Sequence, residues 1–149
     1  PHAVAFRQFA EGAFLPRASC LHYRPMARKH QMLNAKKTQV RLKHYLYTLR
    51  PCLAALWVIE RGTQPPMLFS ELVDVYLPHG ALRDVVDNLV AIKSGSTEQD
   101  SVARLPSLDG FIEESLVRIG NSLPSAIPAM SKEKCNALFR QMLRDCWAL

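Results

Sequence analysis

Leucines recur at helical spacing in the middle of the chain. They advance by four, three, four and three residues, which places them on one face of a helix: Leu42, Leu46, Leu49, Leu53 and Leu56. Gly62 follows this stripe as a residue typical of helix ends. Pro51 lies within it and should kink the helix or divide it in two. The pattern predicts a long, Pro-kinked central helix from Lys36 to Arg61.

Shorter segments with the same helical pattern, separated by proline and glycine, make up most of the remaining chain. They predict helices over about residues 16–33, 70–77, 81–94, 107–120 and 131–147. Ser131 should cap the last helix, with Leu138, Phe139 and Met142 facing inward, and no segment shows the two-residue period of a strand. The sequence therefore predicts an all-α fold, an irregular bundle of about five to six helices. Residues 1–16 are predicted to be an N-terminal tail or interdomain segment, and residues 17–149 the helical domain.

Positive charge is concentrated in the first part of the chain. The net charge of the 149 residues is +6. Residues 1–61 contain eleven Lys and Arg against two acids, a net charge of +9, whereas residues 62–149 carry −3. This asymmetry favours a partner that is an anion, such as a phosphate, a nucleic acid or an acidic lipid, and charge alone does not choose among them.

Features of a membrane or secreted protein are missing from the sequence. The longest apolar run, Cys52–Ile59, has eight residues, whereas a membrane-spanning helix needs about 18. The four cysteines form no C-x-x-C pair and are interpreted as small core residues in a reducing compartment. Neither they nor the five histidines have the spacing of metal ligands. These observations predict a cytoplasmic protein with no membrane partner, no metal site and no catalytic residue of its own.

Cations and a tyrosine share one face of the predicted central helix. Lys36, Lys43, Tyr47 and Arg50 are spaced by seven, four and three residues, and Lys37, Arg41 and His44 form the neighbouring stripe. Like charges one turn apart repel, and a triphosphate or nucleic-acid backbone would convert that cost into charge-assisted hydrogen bonds. The alternative is a solvated basic face whose long side chains cover apolar neighbours. Spacing alone leaves both interpretations open.

The same residues carry a family resemblance. Residues 43–57, K-H-Y-L-Y-T-L-R-P-C-L-A-A-L-W, resemble the K-K-Y-L-Y-x-L-R-P-x-L-A-A-x-W signature of predicted nucleotidyltransferases. These belong to the DNA polymerase β superfamily, in the group associated with RNA repair. The motifs G-T-Q-P-P…F-S-E-L at 62–72, L-D-G-F-I-E-E at 108–114 and F-L-P-R-A…H-Y…M-A at 14–27 are similar to further parts of that family. The resemblance covers about residues 14–118.

The catalytic signature of that superfamily is not found in this sequence. Its members use a Gly-Ser element followed by an Asp-x-Asp pair that holds two metal ions. Here Gly95-Ser96 is followed only by Glu98 and Asp100, and no Asp-x-Asp pair occurs. The resemblance therefore implies the C-terminal helical part of a longer enzyme, whose N-terminal catalytic domain is a missing partner.

What this part would contribute follows from the resemblance. It implies that Lys36, Lys43, Tyr47 and Arg50, with Lys37, Arg41 and His44 behind them, contact the triphosphate of an NTP or the end of an RNA. Mg²⁺ and NTP are expected for the complete enzyme, with no cofactor in this part. The alternative is a non-catalytic helical module that binds nucleic acid or another protein.

Overall fold

Helices form most of the structure. The computed structural model describes residues 2–95 and 100–147. Within them lie seven helices: α1 (His2–Gly12), α2 (Pro16–Asn34), α3 (Leu42–Arg61), α4 (Phe69–Tyr76), α5 (Ala81–Gly95), α6 (Pro106–Asn121) and α7 (Lys132–Trp147). The two strands are β1 (Gln39–Arg41) and β2 (Ser101–Ala103). The predicted helical fold is confirmed, and α1 adds a helix within the predicted tail.

The chain divides into two compact units. One comprises Pro1–Leu15 and Ser125–Leu149, and the other Pro16–Pro124. In the first unit Ser131 caps α7 as predicted, because its Oγ accepts the N–H of Lys134 at 3.3 Å. Leu138 and Met142 are half-buried, but the inward prediction for Phe139 is wrong, since 62% of that residue is exposed. One residue along a helix rotates the side chain by about 100°, away from the stripe of its neighbours.

Helix α3 is the centre of the larger unit. It packs against α2, α4, α5 and α6, and the leucine stripe lies in the core, with Leu46 half-buried. Pro51 is buried inside α3, which continues on both sides of it. Gly62 ends the helix in the left-handed conformation, with φ 66°, and its N–H donates to the carbonyl of Val58 at 2.9 Å.

Cys20 and Cys52 are buried as predicted, whereas Cys135 on α7 is exposed, which corrects its assignment to the core.

The start of the central helix was predicted wrongly. Helix α3 begins at Leu42 rather than Lys36, and residues 39–41 pair antiparallel with β2, Val40 opposite Val102. The prediction of no strand is therefore also wrong. Val40 is fully buried between exposed Gln39 and Arg41, and this alternation suits a strand. Three residues are too few for the two-residue period to be recognised in the sequence.

No helix among the described residues is both long enough and apolar enough to cross a membrane.

Candidate functional site

The predicted site residues lie on three different elements. Lys36 and Lys37 lie in the turn after α2, and Arg41 ends β1. Lys43, His44, Tyr47 and Arg50 lie on α3. The expectation that all seven share two stripes of one helix is therefore wrong for the first three, because the chain is not helical between Asn34 and Leu42.

His44 is fixed between α2 and α3 by hydrogen bonds. Its ring Nδ1 lies 3.2 Å from Oδ1 of Asn34, the buried last residue of α2. The carbonyl of His44 accepts the hydroxyl of Thr48 at 2.7 Å. The carbonyl of Asn34 accepts the N–H of Lys37 at 3.0 Å, so the turn that carries Lys37 is attached to the same asparagine. The bond to Asn34 orients the ring of His44, and the other two bonds fix the neighbouring backbone and Thr48.

A second histidine, His30 on α2, lies beside His44. Its ring centroid is 5.7 Å from that of His44 and 5.8 Å from that of Tyr47. The Nδ1 of His30 is buried and has no hydrogen-bond partner among the residues that the structure describes. His30 was not predicted as a site residue because the histidines lack metal-ligand spacing, and Asn34 was not predicted either. The only sequence signal that links the two is their spacing of four residues, which places them on one face of a helix.

Positive charges surround this pair of histidines. Burial lowers the pKa of His44, and the charges of His30, Lys37, Arg41 and Lys43 lower it further. Burial and then Lys29 lower the pKa of His30. Lys37 and Arg41 thus act on His44 although neither lies on α3. We call the surface formed by His30, Lys37, Arg41, Lys43, His44 and Tyr47 the His44 surface; Tyr47 is its most open aromatic ring, 54% exposed.

Arg50 is placed differently from the other predicted residues. Its guanidinium donates to the carbonyl of Met67 at 2.7 Å. It also lines a small cavity of about 110 Å³ between α2, α3 and the loop before α4, with Tyr23, Met26, Pro51, Ala54, Pro65, Pro66 and Met67. Arg50 therefore has a structural partner that the sequence did not indicate.

The segment before α3 is held in place by residues that follow β2. Arg104 donates from its backbone N–H to the carbonyl of Thr38 at 3.1 Å and from its guanidinium to the carbonyl of Ala35 at 2.8 Å. The same guanidinium pairs with Asp109 at 2.7 Å. Tyr45, fully buried on α3, accepts the N–H of Leu105 at 2.9 Å. Lys36, Lys37 and Arg41 are therefore carried by an anchored segment.

Metal ligands do not converge in this part of the molecule. Residues 2–95 and 100–147 contain no group of three or more His, Cys, Asp or Glu side chains that could hold a metal ion. Mg²⁺ prefers several oxygen ligands in octahedral geometry. The described residues offer no cluster of side chains that fits this ion. Ser96 of the Gly-Ser element considered from sequence, and the acid Glu98 that follows it, lie outside the described residues.

Comparison with known proteins decides the family. The model of the RNA repair pathway DNA polymerase beta family, RlaP, matches residues 1–141. The chain belongs to the RlaP family. A similar protein supports the membership. The uncharacterized protein YcgL of Bacillus subtilis (strain 168) is 33% identical to this chain over 141 residues. That match covers 95% of this chain and 54% of YcgL, so this RlaP chain spans about half the length of the curated relative it matches. No solved structure matches it. The family resemblance seen in the sequence is confirmed.

Proposed function

We propose that this chain is the helical part of a polymerase-β-like nucleotidyltransferase and that its His44 surface contacts the phosphates of an NTP or of an RNA end. The observation that carries the proposal is the placement of Lys37, Arg41 and Lys43 around His44, whose pKa is lowered first by burial and then by the charges of His30 and of these three residues. Cations that disfavour a proton on a neighbouring imidazole also attract a phosphate to the same place. Family membership supports the class of enzyme.

A bound phosphate would reverse the electrostatics of this surface. Its negative charge would offset the repulsion among the cations and raise the pKa of His44, so that the ring gains a proton and a second charged donor. Nδ1 of His44 faces Asn34, so Nε2 is the atom available to an incoming phosphate oxygen. The exposed ring of Tyr47 offers a surface on which a base can stack.

Lys36 and Arg50 have lesser roles in this proposal. Lys36 is exposed in the turn beside Lys37 and extends the basic surface at its edge. Arg50 would have to exchange its bond to the carbonyl of Met67 for a phosphate contact, which reduces the net gain.

Catalysis itself is assigned in this proposal to a partner region with metal-binding carboxylates. That region would bind Mg²⁺ and orient the NTP, and this chain would complete the phosphate contacts. The chain accounts for 54% of the length of YcgL, which leaves room in such a relative for a catalytic half.

Two buried, unpaired thiols, Cys20 and Cys52, support a reducing compartment such as the cytoplasm.

Charge-neutralising variants of this 149-residue chain test the proposal. The triple variant Lys37→Gln, Arg41→Gln, Lys43→Gln removes the cations around His44. A matched control, Lys132→Gln, Lys134→Gln, Arg140→Gln, removes three exposed cations from α7. Binding of ATP and of a labelled single-stranded RNA is measured by titration over a range of salt concentrations, with circular dichroism to check the fold.

The proposal predicts that the site variant loses at least tenfold in affinity for ATP, RNA or both, while the control loses much less. For RNA the salt slope should fall by about 2, since each phosphate contact on a single strand contributes about 0.7. The pKa of His44, followed by NMR, should rise when the ligand binds. Equal losses in the two variants, or a His44 pKa that does not move on ligand addition, would show that the His44 surface is not a phosphate site.

A further inference from the structure

Two arginines outside the His44 surface line a separate cavity. Arg24 and Arg28 lie one turn apart on α2, and the cavity of about 190 Å³ is formed with α6. Its remaining lining residues are Gln31, Glu113, Leu116 and Val117. Neither guanidinium forms a hydrogen bond or ion pair with any residue that the structure describes, and Glu113 is more than 4.0 Å from both. The cavity therefore presents two cations that form no ion pair with the described residues, together with the carboxylate of Glu113 in its lining.

The guanidinium of Arg24 lies against α6 at Gly120. A Cβ placed on Gly120 of α6 would lie 2.7 Å from Nη2 and 3.1 Å from Cζ of Arg24. The guanidinium thus occupies the space that a side chain on α6 would fill. Arginine donors that are held in place before the ligand arrives lose less freedom on binding. Arg24 is half-buried in this contact, whereas Arg28 is exposed and would be ordered only on binding.

The residues that line the cavity indicate which chemical groups a bound anion would have. A guanidinium pair suits a phosphate, which accepts two parallel hydrogen bonds from one arginine. Glu113, when ionised, only accepts hydrogen bonds, so its ligand must offer a donor such as a hydroxyl. Leu116 and Val117 form an apolar wall suited to the carbon face of a sugar. A ribose phosphate combines all three features.

We propose that the α2–α6 cavity binds one ribose–phosphate unit of an RNA strand, with Arg24 and Arg28 on the phosphate and Glu113 accepting from the ribose 2′-hydroxyl. The inference rests on the proposed function and deepens it, because it makes RNA the acceptor. A strand is favoured over a free nucleotide because α2 also carries His30 of the His44 surface and Asn34, which bonds to His44. Arg28 and Asn34 are about 9 Å apart along the helix axis and about 120° apart around it, so a strand that reaches both sites turns partway around α2 over a few nucleotides.

Anisotropy titrations of the 149-residue chain with labelled single-stranded RNA, and with DNA of the same sequence, test the inference. Arg24→Gln with Arg28→Gln should lower RNA affinity by about tenfold per arginine and the salt slope by about 1.4. The control, Arg140→Gln with Arg144→Gln on α7, should leave both nearly unchanged. Equal losses in the two double variants would overturn the site.

Two further variants test geometry and sugar recognition without removing a cation. Gly120→Ala should weaken RNA binding several-fold, because the new methyl group displaces the guanidinium of Arg24 while the fold keeps its helicity. Glu113→Ala removes the acceptor, whereas the amide oxygen of a glutamine would still accept from the 2′-hydroxyl. This variant should bind DNA at least as well as the parent chain does and bring the ratio of RNA to DNA affinity towards one. An unchanged ratio, or RNA binding unaffected by Gly120→Ala, contradicts the assignment.

ATP distinguishes the source of the ribose phosphate and separates the two proposals. If Arg24→Gln with Arg28→Gln lowers ATP affinity as much as RNA affinity, the cavity is a nucleotide site and the RNA assignment is wrong. If this double variant has no effect while the Lys37, Arg41, Lys43 variant abolishes binding, the cavity inference fails and the proposed function stands. The reverse result leaves the cavity as the phosphate site and removes the His44 surface from the proposal.

Discussion

The hydroxyl of Tyr45 links the central helix to the chain that follows β2, and its removal should be measurable. Tyr45 is fully buried, and its oxygen accepts the backbone N–H of Leu105 at 2.9 Å. Tyr45→Phe keeps the ring and leaves that N–H without its acceptor. A stranded donor costs about 1–3 kcal/mol, and because Leu105 is half-buried, partial hydration favours the lower part of the range, about 1–2 kcal/mol.

Urea unfolding of the 149-residue chain measures this cost. With a slope near 2 kcal/mol per M, the midpoint should fall by about 0.5–1 M without a change in slope. Tyr47→Phe, two residues along the same helix, is the matched control; its ring is largely exposed, and its free energy of unfolding should change by less than about 0.5 kcal/mol. Hydrogen exchange at β1 and β2 should also quicken in Tyr45→Phe. Equal midpoints for the two variants would refute the reasoning.

Two other predictions follow from buried groups. Because burial lowers the pKa of His30 and His44, the unfolded chain binds more protons than the folded one as the pH falls. The free energy of unfolding should therefore be greatest above the unfolded pKa of about 6.5 and decline below it until the folded pKa values are passed; a flat urea-midpoint profile between about pH 5 and 8 would contradict this. Burial also raises the pKa of the Cys52 thiol to about 12. Alkylation of the native protein, mapped by peptide mass spectrometry, should modify exposed Cys135 and spare Cys52, and native labelling of Cys52 would contradict the buried placement.

The central helix was predictable because its apolar stripe is long and its end is marked. Leu42 to Leu56 keep the helical period over four turns, and Gly62 is the residue that tolerates the left-handed terminus. The family signature lies on the same stretch, which made family membership accessible as well. Regular spacing over many residues is what sequence reasoning detects best.

The segment before α3 was not predictable in the same way. Lys36, Lys37 and Arg41 continue the spacing of the helical cations by coincidence, while burial of Val40 depends on Val102, far along the chain. The His44 surface similarly needs His30 and Asn34 from another helix. Which distant residues meet is decided by tertiary packing, and one sequence contains no direct signal for it. The binding roles of the seven predicted residues stay predictions.

Residues 36–41 are held in place by residues far along the chain, and this has a consequence for the order of folding. Tyr45 and Leu105 are separated by 60 positions, so the bond between them closes a large loop and depends on ordering the helices in between. During synthesis, the cations of residues 36–41 emerge well before Arg104 and Leu105 do. They acquire their final geometry only when the later segment has joined them. The nascent chain is therefore basic before the proposed phosphate-binding geometry exists, and that geometry forms only once this unit has folded.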